Sequence, residues 1–169
     1  MKFSIYKTVL VISAALVING CTKQEIDPLM DARADVPVSI TNAAEFRPDP
    51  TVTCSLKDSI IQIVLSIPAQ SGKTITEITK IATTTSYTKI QGSGSAGFYV
   101  ATAIPVNGTS YTYKTTLKDY FAFNAPTAAT GANPPAKANA ELGNRFYFLI
   151  KLSDGTQIVT MPVRVLVLA

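Results

Sequence analysis

Two cysteines, Cys21 and Cys54, and no histidine at all limit the chemistry open to this chain of 169 residues. Without histidine there is no Ser-His-Asp or Cys-His nucleophile pair and no imidazole ligand for a metal. Beyond Asp49, at the margin of the globular part, the carboxylates are Asp58, Glu77, Asp119, Glu141 and Asp154. A glycosidase needs two carboxylates facing one bond, and no two of these stand at a spacing that suggests a shared site. The sequence therefore names no catalytic residue, no cofactor and no metal site.

Several short motifs dissolve on inspection. Gly92-Ser93-Gly94-Ser95-Ala96-Gly97 has GxGxxG spacing, but that fingerprint requires a following helix, and Phe98 to Ile104 alternates like a strand; it reads as a hairpin loop. Ser71-Gly72-Lys73-Thr74 looks like the end of a phosphate loop, yet Ile67 stands where the earlier glycine is required. Ser86-Tyr87-Thr88-Lys89 has SxxK spacing without a helix or partner motifs. Asn107-Gly108-Thr109 fits a glycosylation sequon, but a tight turn accounts for the same residues.

Cys21 has a context of its own. Residues 1 to 7 carry Lys2 and Lys7, and Thr8 to Ile18 form an apolar run of 11 residues, the layout of a secretory leader. The run falls short of the ~20 residues needed to span a bilayer, and it ends in Ile18-Asn19-Gly20-Cys21. This segment resembles the bacterial lipobox: Ile18, Gly20 and Cys21 match it, while Asn19 departs from the commonest form. The resemblance covers residues 1 to 21 and implies cleavage before Cys21, a thioether-linked diacylglycerol on its sulfur and an acylated amino terminus. About three chains would then hold the protein, and two or more anchor stably because each buried methylene contributes roughly 0.8 kcal/mol. In related lipoproteins an Asp after the cysteine retains the protein at the inner membrane. Thr22 stands there instead, which implies the outer membrane.

Removing Lys2 and Lys7 from 15 basic residues leaves 13 against 11 acidic ones, a net charge of +2 for the mature part. The basic residues are scattered and form no stripe to track a phosphate backbone, so nucleic acid is not an expected partner. With Cys21 lipidated, Cys54 has no disulfide partner and reads as a small buried side chain. Residues 21–36 form a polar, Pro28-containing tether after the 1–20 signal peptide. Its 14 residues from Thr22 to Asp35 have a flexible reach of roughly 20 Å.

The elements of the 37–169 domain follow from period. Thr, Ser, Val and Ile are abundant, and short apolar runs are separated by turn residues, which predicts an all-β antiparallel sandwich. Ile61, Ile63, Leu65 and Ile67 share one face of a strand that Pro68 closes. Thr74 to Thr85, with isoleucine every third residue, is read as a strand with a bulge. A turn at Asn107-Gly108 would place Ile104 opposite Tyr111, Thr102 opposite Tyr113, Val100 opposite Thr115 and Phe98 opposite Leu117. A turn at Asp154-Gly155 would pair Leu152 with Gln157, Ile150 with Val159, Phe148 with Met161 and Phe146 with Val163, leaving Pro162 at an edge or bulge. Asn124 to Asn144 reads as one long Ala-, Pro-, Asn- and Gly-rich loop.

The closing pattern NRFYFLIKLSDGTQIVTMPVRV, after YTYKTTLKDYFAF, resembles the immunoglobulin-like domains of Bacteroidota surface lipoproteins, including starch-utilisation-type systems. That resemblance covers about residues 50 to 168, implies a single immunoglobulin-like sandwich and carries over no functional residue. Asp58-Ser59-Ile60 resembles the O-glycosylation motif of the same group, which implies sugar on Ser59. The expected function is a non-catalytic binding or accessory lipoprotein that contacts a glycan or an outer-membrane protein partner; a structural or assembly subunit is the alternative. Cys21→Ser is expected to abolish incorporation of labelled palmitate and release the protein from membranes, while Cys54→Ser leaves both unchanged. Metabolic labelling with fractionation checks this, and equal labelling of the Cys21→Ser protein would refute the anchor.

Overall fold

Alternating apolar residues build the structure strand by strand. The computed structural model describes residues 34–46, 48–94, 96–124 and 136–169. The leader, Cys21 and the tether up to residue 33 lie outside the described residues, as does the 125–135 part of the long segment between Asn124 and Asn144. A compact unit spans Asp35–Ala169. Its strands are β1 (Ser39–Ile40), β2 (Glu45–Phe46), β3 (Pro50–Ser55), β4 (Ile60–Ser66), β5 (Ile75–Thr84), β6 (Ile104–Gly108), β7 (Ser110–Thr116), β8 (Ala140–Glu141), β9 (Arg145–Leu152), β10 (Gln157–Val159) and β11 (Arg164–Leu168). Helical turns are α1 (Thr88–Gln91) and α2 (Leu117–Phe123).

The strands form sheets ordered β1-β4-β7, β2-β3-β11-β8 and β10-β9-β5-β6, packed as an all-β sandwich. All pairings are antiparallel except β3 with β11, which run parallel from Thr51 opposite Arg164 to Ser55 opposite Leu168. Ile61, Ile63 and Leu65 of β4, Ile75, Ile78 and Ile81 of β5, and Phe146, Phe148 and Ile150 of β9 are all fully buried in one core. Burial of each such side chain contributes about 1.5–3 kcal/mol.

The three-residue isoleucine period of β5 is resolved by two register shifts, one between Ile75 and Glu77 and one between Ile78 and Lys80. Ile75, Ile78 and Ile81 thus face Leu152, Ile150 and Phe148, which stand two apart on β9. Each bulge inserts one residue, so side chains three apart return to the same face. The expected bulged strand is present, with two bulges.

The Asn107-Gly108 hairpin does not form. β6 pairs with β5, where Ile104 faces Ile78, and β7 pairs with β4, where Tyr113 faces Ile63 and Tyr111 faces Leu65. Asn107 does not take the left-handed backbone that a type I′ turn needs, so the chain runs on and changes sheet at Thr109. The alternation was right: Tyr111, Tyr113, Leu117 and Ile104 all turn toward the core, but toward different partners. Two strands paired only to each other are marginal in water, whereas here each arm joins a larger sheet.

The Asp154-Gly155 turn forms one residue longer than expected. Only Gly155 has positive φ, at 85°, and its N–H donates to the Leu152 carbonyl over 2.9 Å. This is a three-residue loop with glycine in the bulge position. The register therefore slips: Ile150 faces Ile158, Leu149 faces Val159 and Lys151 faces Gln157. Thr160, not Met161, is drawn inward opposite Phe148, and Met161 is exposed. The Phe146 pairing with Val163 survives because Met161 and Pro162 together oppose Tyr147, the bulge expected at this proline. Past it the chain crosses to become β11, so β10 is left as a short edge.

Buried Thr160 is stabilised by its hydroxyl, which accepts from the Phe148 N–H at 3.2 Å, while its own N–H donates to the Phe148 carbonyl at 3.0 Å. Thr160→Val removes the acceptor and leaves a buried donor unpaired. A loss of about 1–3 kcal/mol in urea-unfolding free energy is expected, against almost none for exposed Met161→Thr.

Candidate functional site

The strand directions sort residues to two ends of the sandwich. At one end Ser39 lies opposite Ser66, Ser110 lies opposite Ser66 from the other side, and Lys73 Nζ reaches Asp154 Oδ2 over 2.7 Å. Here the described chain begins, and the Asp35 charge acts on Lys73. Lys73 and the Thr156 backbone hold the Asp154 carboxyl down at about 2. At the other end Ile60 lies opposite Thr116 and Thr84 opposite Arg145, and helix α2 closes the sandwich.

Helix α2 starts on Thr116, whose hydroxyl accepts from the Asp119 N–H at 3.0 Å and donates to Asp119 Oδ2 at 2.7 Å. Thr116 is thus the N-cap, and the Asp119 carboxylate returns to its hydroxyl and not to its backbone N–H as in a capping box. Leu117 and Tyr120, three apart, form the buried face, leaving Ala122 and Phe123 on the outside. The alternation of Tyr111, Tyr113, Thr115 and Leu117 predicts a strand with Leu117 opposite Phe98, and a helix forms from Leu117 instead. The Thr116-x-x-Asp119 spacing was the signal that marks the helix start.

The Tyr120 hydroxyl donates to the Asn144 carbonyl at 3.0 Å and accepts from the Asn144 N–H at 2.8 Å. Asn124, at the helix end, donates to the Tyr120 carbonyl at 3.0 Å and accepts from Thr83 at 2.9 Å and from the Asn144 side chain at 2.8 Å. Both ends of the long connection are thereby pinned to β5 and to the start of β9. Within that connection β8 pairs with β11, so the segment expected to be entirely loop contains a short strand.

An open cleft of about 460 Å³ lies beside α2, lined by Tyr99, Tyr113, Thr115, Asp119, Phe123 and their neighbours. Tyr99 sets its floor: its ring meets Phe146 edge-on at 5.6 Å and Phe123 edge-on at 5.3 Å, and its hydroxyl lies 2.5 Å from Thr115 Oγ1. Val100, next along, is held by paired backbone bonds to Ile81. Burial pushes the Tyr99 phenol up; the Thr115 bond opposes this, and the Asp119 charge adds to the rise. Tyr113 is raised for the same leading reason, with Tyr99 and Asp119 contributing. Phe123 is 42% exposed, so beyond its contact with Tyr99 much of this large side chain is open to solvent.

No family model, curated protein or solved structure matches this chain.

The structure brings few of the residues singled out in the sequence together. Ser59 sits in the β3–β4 turn with left-handed backbone, φ 53°, and its hydroxyl donates to the Leu56 carbonyl at 2.9 Å. Cys54 is buried in β3, and burial pushes its thiol up. Glu141 forms a two-contact pair with Arg164, and Asp49 Oδ2 lies 3.1 Å from Arg145 Nη1. That Asp49 oxygen is buried without an aligned hydrogen bond, so the contact is an ion pair alone. One turn of helix, α1, does form after Ser86, but Ser86 Oγ bonds Thr88 Oγ1 at 2.8 Å, while the Lys89 ammonium lies by Gly97. The glycine-rich stretch connects α1 to Phe98 within the long connection between β5 and β6, which pair antiparallel, so it lies in a hairpin loop that also holds a helical turn. Phe98, Ile90, Ala82 and Tyr147 form a second, smaller cluster on the outer face of β5 and β9. Of the aromatic residues, Tyr120 and Tyr113 are buried, and Tyr87 packs edge-on to Tyr147 at 6.0 Å.

Burial holds Tyr120 protonated, pushed up to about 12 from an ordinary 10. A raised native value contributes stability that is complete below about pH 10 and is lost as pH rises toward 12. Tyr120→Phe is expected to flatten that alkaline limb. It also orphans the Asn144 amide, lowering stability at neutral pH by about 1–3 kcal/mol. Urea titrations at pH 7 and pH 11 check both effects.

Proposed function

We propose that this chain is a lipid-anchored, non-catalytic binding module of the cell envelope, held at the outer membrane through Cys21, whose cleft captures a glycan. The observation that carries the reading is the pairing of exposed Phe123 with Tyr99 beside the Thr115 hydroxyl and the Asp119 carboxylate. Sugar rings stack on aromatic faces through their C–H surfaces, and polar neighbours fix their orientation. The cleft lies at the end of the sandwich opposite the one where the described residues begin, and the seven residues of β4 between these ends span roughly 20 Å.

A second reading, a structural or assembly subunit, is favoured by β7, which lies at the edge of its sheet over seven residues and so presents backbone for strand addition.

The test is a glycan array followed by calorimetry on the full mature lipoprotein in mild detergent. Binding is expected, and Phe123→Ala is expected to weaken it roughly tenfold. A blank array, together with in-cell crosslinks to a single outer-membrane protein, would replace glycan capture with assembly.

A further inference from the structure

The cleft carries a charge preference that narrows its ligand, and this step rests on the glycan reading above. Among the residues lining it there is one ionisable group of fixed sign, the Asp119 carboxylate, and no lysine or arginine. The carboxylate is not a loose surface charge: Thr116 Oγ1 holds Oδ2 at 2.7 Å while the Asp119 N–H bonds back to the same hydroxyl. It lines the same cleft as Tyr99 and Tyr113, and its charge acts on both phenols. The Tyr99 and Thr115 hydroxyls bond each other, so they offer a ligand only their remaining hydrogen-bonding capacity and no charge. What remains is the exposed Phe123 ring, one helical turn from the Asp119 carboxylate, and both attract a cation: the ring face through its quadrupole, the carboxylate by direct charge. An anionic sugar would meet repulsion there; a neutral one could donate hydroxyl hydrogen bonds to the carboxylate, but an ammonium group adds an opposite charge to such a bond.

We propose that the cleft takes a sugar bearing an unacylated amine, a deacetylated hexosamine unit, with its ring against Phe123 and its ammonium group at Asp119. The volume of about 460 Å³ lies within the range of small-ligand sites. Because the site is open, a unit within a longer chain can enter without a free end.

Calorimetry on the full mature lipoprotein with three tetrasaccharides tests this: β-1,4-linked glucosamine, its N-acetylated form and the glucose equivalent. The glucosamine oligomer is expected to bind at least tenfold more tightly than the other two, and to weaken with added salt and as alkali deprotonates its amine. Asp119→Asn keeps an oxygen for Thr116 to bond and is expected to lower the affinity of the glucosamine oligomer at least tenfold, to that of the neutral oligomer on the same variant, and to abolish its salt dependence. Equal binding of all three, unaffected by Asp119→Asn, would overturn the charge preference and leave glycan capture standing. Failure of the glucosamine oligomer to bind while the array of the preceding section is positive would likewise overturn it. Tetramethylammonium competing as tightly as the oligomer would overturn the sugar half of the proposal.

Discussion

The ring of Phe146 is the contact on which this structure turns. It is fully buried at the start of β9 and meets four other rings: Tyr99 at 5.6 Å, Tyr120 at 5.7 Å, Tyr113 at 6.4 Å and Phe148 at 6.5 Å. These come from the segment before β6, from α2, from β7 and from β9 itself. Aromatic pairs of this kind contribute about 0.5–1.5 kcal/mol each beyond their burial. One side chain therefore joins two sheets and the closing helix. The cleft inherits its rigidity from this contact, since Tyr99 rests on Phe146 on one side and presents its other surface to Phe123.

A polar counterpart lies beside this apolar hub. Thr83, Asn124, Tyr120 and Asn144 are linked in one hydrogen-bonded group at the same end of the sandwich. Buried polar groups are costly unless paired, and here each found its partner across a long stretch of sequence. Together the rings and this network hold α2 against the sheets, so a helix of only two turns can serve as a fixed wall. The opposite end is simpler, with a charged pair, Lys73 and Asp154, across the loops where the chain enters.

Legibility in the sequence followed the range of the interactions. The period-two face of β4, the bulged β5, the buried Cys54 and the bulge at Pro162 depend on neighbours a few residues away, and each was readable. The two turns failed for reasons that span the molecule. At Asn107-Gly108 the arms alternated as expected, but β4 and β5 each recruited one of them. At Asp154-Gly155 a single residue of turn length moved Ile158 and Thr160 inward, a difference decided by which backbone could take positive φ. The helix was missed although Thr116 and Asp119 announced it, because the alternation of Tyr111, Tyr113, Thr115 and Leu117 argued for a strand. The cleft itself had no local signal: Tyr99 and Phe123 are 24 positions apart and meet only where α2 folds back against the segment before β6.

The unequal lengths of the border strands bear on how copies behave when crowded. Among the described residues, β1, β2 and β8 are two residues long, β10 is three, and β6 carries Pro105. None offers a template long enough for another chain to zip onto. β7 is the exception, and it bears Lys114 on its solvent side. A like strand laid alongside would bring a second ammonium close to the first, so the longest ribbon of open backbone carries its own deterrent to fibre growth.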